Sequence, residues 1–279
     1  MCGEDSEVAW FPPLGGVLLA LAVLSPLAWK WQLGVRRVSL FAATVSMLCG
    51  VLVSALDVST NPWLQAILVA VVTVAVAFAV LAYRFYRDPE REIPAGDGIV
   101  VSPADGEVLY IREAVGGVLP VSSKRGRHYT LEELTKTPLE AQQAVVVGIA
   151  MSFLDVHVNR APVTGRVALI KHVPGRFGSL RDPKMVFENE RTTTIVRRNG
   201  IDVAVVQIAS RLVRQIATFV REGDDIDLGQ RIGVIRLGSQ VDLVLPVCNG
   251  LVVLVMAGER VTAGTSILAR WTPPLDESG

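Results

Sequence analysis

The stretch GDDIDLGQRI, residues 223–232, returns without gaps as GERVTAGTSI, residues 258–267. Both copies carry a glycine, an acidic residue, an aliphatic residue, a second glycine and an isoleucine at the same spacing. Glycines at fixed positions favour tight turns that need a positive φ, and the aliphatic positions suit strands with alternating core contacts. The duplication predicts a compact β sandwich built from two related turn-and-strand units.

Short β-type runs dominate the chain from residue 99 onward. They are rich in Val and Ile and separated by Gly, Pro, Asn and Asp, which is typical of all-β domains. The repeated unit resembles the turn-and-strand unit of lipoyl-type barrel-sandwich hybrids. We therefore expect residues 84–279 to form a mainly β, barrel-sandwich-hybrid-like sandwich with few short helices. One helix is expected within residues 131–144, with Thr130 as N-cap and Glu133 completing a capping box.

Three apolar stretches precede this domain, at about residues 14–29, 38–56 and 63–83. A helix crosses a bilayer with about 20 apolar residues, and about 17 suffice. The second and third stretches meet this length, whereas the first is short and contains Pro26. Residues 1–83 are therefore predicted to form a membrane anchor of two to three transmembrane α-helices. The acidic start of the chain argues against a signal peptide, which opens with positive charge.

Basic residues flank the apolar stretches unevenly. The first loop and the residues after the third stretch carry them, whereas the second loop, residues 57–62, has none. The basic residues concerned are Lys30, Arg36, Arg37, Arg84, Arg87 and Arg91. Under the positive-inside rule they predict an external N-terminus, three spans and a cytoplasmic C-terminal domain. We expect an integral protein of the cell (inner) membrane that acts on a lipidic substrate.

Charge and cysteine content exclude several classes of protein. The chain has 27 basic and 27 acidic residues, so no basic stripe indicates a nucleic-acid partner. Its three cysteines are scattered, which fits neither a disulfide framework nor a metal cluster. The three histidines, His128, His157 and His172, lack the spacing of zinc ligands. No metal cofactor is expected.

Seven motifs follow one another along the chain from the end of the third apolar stretch. They read YRFYRDPEREIP (83–94), VSPADGEV (101–108), MSFLDVHVNRAPVTGRV (151–167), HVPGRF (172–177), NERTT (189–193), VVQIASRLVRQI (205–216) and GQRIGVIRLGSQVDLVLP (229–246). A Gly-Ser pair alone usually marks a turn. This ordered series, however, resembles the phosphatidylserine decarboxylase family, and specifically its short prokaryotic class. The resemblance covers about residues 83–270.

The resemblance implies an enzyme that makes its own cofactor. Decarboxylating an amino acid needs an electron sink for the carbanion left by CO2, and no side chain provides one. The family makes a pyruvoyl group, and the matching cleavage site here is Gly238-Ser239. The Ser239 hydroxyl is expected to attack the Gly238 carbonyl, and β-elimination with hydrolysis then leaves a covalent pyruvoyl group at residue 239. The large chain, residues 1–238, and the small chain, residues 239–279, are expected to stay associated.

The resemblance also implies roles for individual residues. The substrate amine is expected to form a Schiff base with the pyruvoyl group, and loss of CO2 then yields phosphatidylethanolamine. Asp105 matches the family's acid, and His157 matches the first of two histidines present in the family's longer members. The second position is Arg160, which cannot accept a proton at working pH. We therefore expect His157, oriented by Asp105, to act as acid and base, with His172 in reserve.

Several alternatives remain open at this level. Arg160 either binds the substrate carboxylate or phosphate, or forms a structural salt bridge. The chain could be a membrane-tethered barrel-sandwich scaffold or binding module that never cleaves. A lipoyl-type carrier is disfavoured, because no lysine lies between Gly229 and Gly264. An archaeal ether-lipid analogue with the same serine head group is the alternative substrate, and a homo-oligomer is compatible with the sequence.

Overall fold

The computed structural model describes residues 4–31, 33–122, 128–139, 141, 143–180, 182, 184–210, 216–235, 239–248 and 250–271. The chain divides into two compact units, Met1–Arg87 and Asp88–Gly279. The division falls after Arg87 rather than after residue 83, because the third helix continues to Tyr86. The first unit is helical and the second is mainly β.

The first unit consists of three α-helices, α1 (Glu4–Lys30), α2 (Val35–Ala55) and α3 (Pro62–Tyr86). All three are long and apolar enough to cross a membrane, by length and composition alone. Their bounds differ from the predicted apolar stretches, and α1 begins at Glu4 rather than near residue 14. Apolar content marks the part of a helix that suits lipid, whereas the helix itself continues through polar residues at its ends.

Small residues form the contacts among these helices. Gly16 lies against Val69 and Gly50 against Pro13 so closely that a Cβ at either glycine would overlap its neighbour. The buried hydroxyl groups of Ser46 and Thr73 are 2.9 Å apart and join α2 to α3. Close small-residue contacts with an interhelical hydrogen bond are typical of helices that pack in lipid.

The second unit is built mainly from antiparallel strands. The strands are β1 (Ile99–Val101), β2 (Gly106–Val115), β3 (Val118–Ser122), β4 (His128–Thr130), β5 (Gln143–Met151), β6 (Val158–Arg160), β7 (Gly165–Val173), β8 (Arg191–Arg198), β9 (Ile201–Ala209), β10 (Ile216–Thr218), β11 (Asp225–Ile226), β12 (Arg231–Ile235), β13 (Ser239–Pro246), β14 (Leu251–Val253), β15 (Arg260–Val261) and β16 (Ile267–Trp271). The short helices are α4 (Leu131–Thr135) and α5 (Met185–Glu188). This confirms a mainly β unit with few short helices; its assignment to the barrel-sandwich hybrids stays a prediction.

One ten-stranded sheet dominates this unit, in the order β11-β7-β8-β9-β13-β5-β2-β3-β4 with β15 beside β2. Two three-stranded sheets, β1-β16-β14 and β10-β12-β6, contribute to the apolar core on one of its faces. The helices α4 and α5 pack with a second apolar cluster on the other face. Strand β13 lies in the middle of the large sheet, between β9 and β5.

The duplication is larger in the structure than in the sequence. Residues 216–235 and 251–270 each supply an edge strand, a two-residue strand and a longer strand in the same order. Segments 101–108 and 160–167 are a second repeated pair, and each leads from a short strand through a turn into a long one. The repeated glycines adopt the expected positive φ: Gly223 (91°), Gly258 (92°), Gly229 (73°) and Gly264 (73°).

A reciprocal pair of main-chain hydrogen bonds joins the two copies. The Val101 N–H donates to the Pro162 carbonyl and the Arg160 N–H donates to the Pro103 carbonyl, both at 2.9 Å. Each bond is the symmetry counterpart of the other, because the four residues occupy matching positions of the two repeated segments. The pseudo-twofold contact therefore lies between the SPADG and RAPVTG turns.

The predicted capping box is present at the start of α4. The Glu133 N–H donates to the Thr130 hydroxyl at 3.1 Å, and the Thr130 N–H donates to the Glu133 carboxylate at 3.0 Å. The helix is short, as expected, and ends at Thr135, where Lys136 adopts a left-handed conformation with φ 57°. Pro138 disfavours helical geometry in the residue before it, which explains the early end.

Three polar side chains form a buried group on the helix-bearing face of the large sheet. The Asp242 carboxylate accepts hydrogen bonds from the Tyr110 hydroxyl (2.9 Å) and from Gln240 Nε2 (2.6 Å). Gln240 Nε2 also lies 2.8 Å from the Tyr110 hydroxyl, which closes a triangle. Burial raises the pKa of Asp242 to about 6, although both hydrogen bonds oppose this shift. We call these residues the Tyr110–Asp242–Gln240 triad.

Replacing Asp242 with asparagine should stabilise the fold relative to the parent as the pH rises from about 4 to about 8. The folded parent keeps the proton of Asp242 up to about pH 6, whereas the unfolded chain releases it near 3.8. The folded parent therefore loses stability over this interval, by up to about 3 kcal/mol for a shift of about two pKa units. Thermal unfolding of Asp242→Asn and its parent at several pH values, both as Ser239→Ala proteins, measures the difference. A difference that is constant with pH would contradict the shift.

Candidate active site

Ser239 begins the central strand β13, where it pairs with Ala209 of β9 and Met151 of β5. It is 4% exposed, and its hydroxyl lies 3.2 Å from the Met151 sulfur. Because strand side chains alternate between faces, Ser239 shares its face with Val241, which belongs to the core between the sheets. The hydroxyl is thus held inside the sandwich. Its predicted partner Gly238 lies outside the described residues.

Asn159 connects three of the motifs beside Ser239. Its side-chain nitrogen donates to the Pro103 carbonyl (3.3 Å) and lies 3.8 Å from the Met151 sulfur. Its side-chain oxygen accepts a hydrogen bond from Gln207 at 2.8 Å. Asn159 is fully buried and Gln207 is 1% exposed. The sequence analysis missed both residues; the available signal was an amide side chain within an apolar β-type run.

His157 lies directly before β6 and is almost fully buried. Its carbonyl accepts a hydrogen bond from the Ile235 N–H at 3.1 Å, and Ile235 is the last residue of β12 before the segment that leads to Ser239. Burial lowers the pKa of His157, while a hydrogen bond with the Asp155 backbone and the charges of Asp155 and Asp105 oppose the shift. The imidazole is therefore neutral at neutral pH and can accept a proton.

Asp105 lies in the turn between β1 and β2. Its carboxylate forms an ion pair with Arg91 at 2.9 Å and accepts the Ala263 N–H at 2.8 Å. The matching residue of the other repeat is Thr164, whose hydroxyl accepts the Leu228 N–H at 3.1 Å. A turn-stabilising bond is thus common to both copies. The negative charge, which acts on His157, is particular to Asp105.

Arg160 binds main-chain carbonyl groups and an aspartate. Its guanidinium donates to the Gly229 carbonyl (2.9 Å), the Pro89 carbonyl (3.1 Å) and the Asp88 carboxylate (3.4 Å). Arg231 also binds Asp88. These contacts fasten the RDPER segment to the repeated turns. A role of Arg160 in substrate binding stays a prediction.

The NER motif positions the main chain next to Ser239. The buried Asn189 side chain donates to the Ala209 carbonyl (2.9 Å) and the Gly178 carbonyl (3.0 Å), and accepts the Gly178 N–H (2.8 Å). Ala209 is the β9 partner of Ser239. Asn189 therefore ties the loop after HVPGRF to the strand beside the serine.

His172, the reserve candidate, lies farther away. Its ring contacts the Thr192 hydroxyl at 3.0 Å and the Glu190 carboxylate at 3.8 Å. Strands β8 and β9 separate its strand β7 from β13, which places its backbone about 14 Å away from β13 at three strand spacings.

The chemistry of the site fits a prosthetic group made from Ser239. The Ser239 hydroxyl is buried among thioether, amide and apolar groups. The neutral imidazole of His157 belongs to a residue whose main chain is bonded to Ile235, four residues before the serine. Within the described part of the chain, no group of three or more His, Cys, Asp or Glu residues could hold a metal ion.

Comparisons with known proteins agree on one family. The family model described as phosphatidylserine decarboxylase matches residues 78–269, which include all seven motifs. A phosphatidylserine decarboxylase proenzyme of Azorhizobium caulinodans is 43% identical over 196 residues, covering 70% of this chain and 76% of that protein. One from Symbiobacterium thermophilum is 38% identical over 203 residues, covering 71% and 82%. A Methanocaldococcus jannaschii protein, provisionally named archaetidylserine decarboxylase proenzyme, is 43% identical over 185 residues, covering 66% and 87%.

Asn159→Leu should destabilise the protein by about 2 kcal/mol, because it leaves the buried Gln207 amide and Pro103 carbonyl without this partner. The double variant with Gln207→Leu should lose less than the sum of the two single changes, since neither amide is then left alone. Denaturant unfolding of Ser239→Ala proteins measures the cycle. Strictly additive losses would show that the two amides do not interact.

Proposed function

The chain belongs to the phosphatidylserine decarboxylase family, and from this membership we propose that it decarboxylates phosphatidylserine to phosphatidylethanolamine with a pyruvoyl group made from Ser239. One observation carries the proposal. The Ser239 hydroxyl is buried at the start of the central strand, beside the Asn159 contacts that join the SPADG and DVHVNRAP motifs. A buried serine whose neighbours hold it in place suits an intramolecular attack on the adjacent peptide bond, because the attacking hydroxyl is restrained near its target.

We propose that self-cleavage proceeds at Gly238-Ser239. Ser239 Oγ attacks the Gly238 carbonyl carbon, the peptide C–N bond breaks as the ester C–O bond forms, and the released nitrogen takes up a proton. A base then removes the Cα proton of residue 239, and Gly238 leaves as a carboxylate. Water hydrolyses the remaining dehydroalanine, releasing ammonia and leaving the pyruvoyl carbonyl. The glycine has no Cβ to hinder the attack.

His157 is the proposed base for the serine, and the acid that returns a proton to the product. Its lowered pKa supports this role, because a neutral imidazole accepts the hydroxyl proton. Its main-chain bond to Ile235 supports it as well, since residues 236–238 continue directly to Ser239. Asp105 is proposed to tune His157 by charge. For Arg160 we propose a positioning role, because its donors bind Gly229, Pro89 and Asp88.

The pyruvoyl carbonyl, once formed, supplies the electron sink that decarboxylation requires. The two chains are proposed to stay associated after cleavage. Strand β13 of the small chain pairs on both sides with β9 and β5 of the large chain, and β16 pairs with β1. Cleavage before residue 239 leaves these ladders intact, so the sandwich keeps its middle strand.

We further propose that α1, α2 and α3 span the cell membrane, with the N-terminus outside and the β unit in the cytoplasm. Their length and apolar composition support three spans, and the basic residues of the loops support the orientation. Helix α3 ends at Tyr86 and the β unit begins at Asp88, so the β unit follows the third span closely in the chain. The substrate is then a lipid of the inner leaflet.

An ether lipid is the second candidate substrate. The relative from Methanocaldococcus jannaschii carries a name that refers to archaetidylserine. Both lipids present the same serine head group, and all of the proposed chemistry takes place on that group. Product formation from each lipid by the same purified protein separates the two.

Intact-mass analysis should resolve the purified protein into residues 1–238 and 239–279, with a pyruvoyl mass at residue 239. Ser239→Ala should remain one chain of 30.1 kDa, because it lacks the attacking oxygen. The cleaved protein should release CO2 from phosphatidylserine, and the variant should not. A folded wild-type protein that stays whole would overturn the proposed pyruvoyl-dependent activity and favour the scaffold alternative.

The rate of self-cleavage should rise with pH and level off, with its midpoint below the ordinary histidine pKa of 6.5. His157→Ala should lower the plateau about 100-fold or more. Asp105→Thr should move the midpoint to lower pH, because threonine can keep the Ala263 bond as Thr164 keeps its own, while the charge that raises the pKa of His157 is lost.

The matched control is Thr164→Val, which removes the equivalent turn bond and changes no charge. Its midpoint should equal that of the wild type. Cleavage time courses of newly synthesised chain at a series of pH values measure all four proteins. An unchanged midpoint in Asp105→Thr would contradict the electrostatic role of Asp105.

A further inference from the structure

The Tyr110–Asp242–Gln240 triad has no part in the chemistry proposed above. Strand alternation puts the side chains of Gln240 and Asp242 on the face of β13 opposite to that of Ser239. Gln240 is nevertheless the residue bonded directly to residue 239. The backbone nitrogen of Gln240 is bonded to the carbonyl carbon of residue 239, the residue that is converted.

The triad is geometrically closed, and its two members on β13 are buried while Tyr110 is partly buried. Asp242 is 0% exposed and Gln240 is 1% exposed. Burying a carboxylate and an amide costs stability unless each is hydrogen-bonded, and here three contacts between 2.6 and 2.9 Å satisfy them together. Such a group specifies one side-chain arrangement, because a different rotamer of Gln240 would leave a buried donor without a partner.

The triad also connects the two chains that cleavage would produce. Gln240 and Asp242 belong to the small chain, whereas Tyr110 lies on β2 of the large chain, with β5 between them. Tyr110 crosses this strand at Gly148, where any Cβ would overlap the tyrosine ring. Arg112 stacks on the tyrosine with its guanidinium carbon 3.7 Å from the ring centre. The sheet is thus built to let Tyr110 reach Asp242 across a whole strand.

We infer that the Tyr110–Asp242–Gln240 triad is a positioning device that holds the amide of residue 240, and through it the reacting residue 239, in one orientation before and after cleavage. The inference rests on the proposed function. After cleavage residue 239 is a chain end, and nothing N-terminal to it restrains its rotation. Gln240 is the first residue held by its side chain as well as by the ladder.

The orientation matters for the electron sink. The carbonyl of residue 239 that is bonded to Gln240 is adjacent to the ketone, and electron delocalisation requires the two groups to keep a defined mutual orientation. Restraint of reacting groups to a narrow range of geometry lowers the activation barrier without tighter substrate binding. Loss of the triad should therefore lower kcat and leave KM unchanged.

Tyr110→Phe tests the inference in the detergent-solubilised full chain, because it removes the hydroxyl and keeps the ring over Gly148. We expect slower self-cleavage of newly made chain, and a kcat per pyruvoyl group about tenfold lower with KM within about twofold of wild type. Labelling of the small chain with phenylhydrazine, followed by mass analysis, counts the pyruvoyl groups. Gln240→Met, which keeps the length of the side chain, should reproduce both effects.

The matched control is Thr193→Val. Thr193 lies on the same face of the large sheet, and its buried hydroxyl donates to the Thr135 carbonyl at 2.7 Å without touching residue 240. The Thr193→Val protein should be destabilised to a similar degree as the Tyr110→Phe protein, but its self-cleavage rate and kcat should equal those of wild type.

Each other outcome has a definite meaning. Wild-type rates in Tyr110→Phe and Gln240→Met, measured per pyruvoyl group, would overturn the positioning role and leave the proposed function intact. Equal losses in Thr193→Val, or failure of both triad variants to fold while the control folds, would make the triad a stabilising element only. A wild-type protein without a pyruvoyl group would overturn the proposed function, and the inference with it.

Discussion

The reciprocal hydrogen bonds between the SPADG and RAPVTG turns are the contact on which the arrangement of the β unit depends. Each turn donates one main-chain N–H and accepts another, at 2.9 Å in both directions. The two bonds join equivalent positions of a duplicated unit. Formation of one bond therefore brings the donor and acceptor of the other bond together. Asp105 follows one half of this contact and His157 precedes the other half. Two residues that are distant in sequence, 105 and 157, are thereby brought within range of electrostatic interaction.

The duplication explains how one copy could acquire chemistry while the other retained structure. Thr164 and Asp105 both accept a main-chain N–H from the repeated turn-and-strand segments. Only the aspartate adds a charge, and that charge is balanced by Arg91. The turn therefore does not depend on a carboxylate, which leaves the carboxylate free to influence a neighbour.

Strand β13 separates two environments within one sheet. Ser239 faces the core between the sheets, whereas Gln240 and Asp242 face the helix-bearing side. Burial has opposite effects on the two ionisable groups: it lowers the pKa of His157 and raises that of Asp242. Both shifts favour the neutral form, because a low-dielectric interior penalises any unpaired charge. At neutral pH the two groups therefore differ: His157, on the side of the sheet that bears the serine, is uncharged, whereas Asp242 is largely ionised because its pKa of about 6 lies below 7.

The sequence by itself determined the class of the protein. Its Val- and Ile-rich runs predicted the β unit, its glycine spacing predicted the turns with positive φ, and its ordered motifs predicted the family, because these signals are local in the chain. Only the tertiary structure decided which residues surround Ser239. Asn159, Gln207 and Met151 meet there from three strands, and Tyr110 reaches Asp242 only because Gly148 leaves room. Such contacts depend on strand order and register, which pairing between distant segments sets and no local pattern encodes.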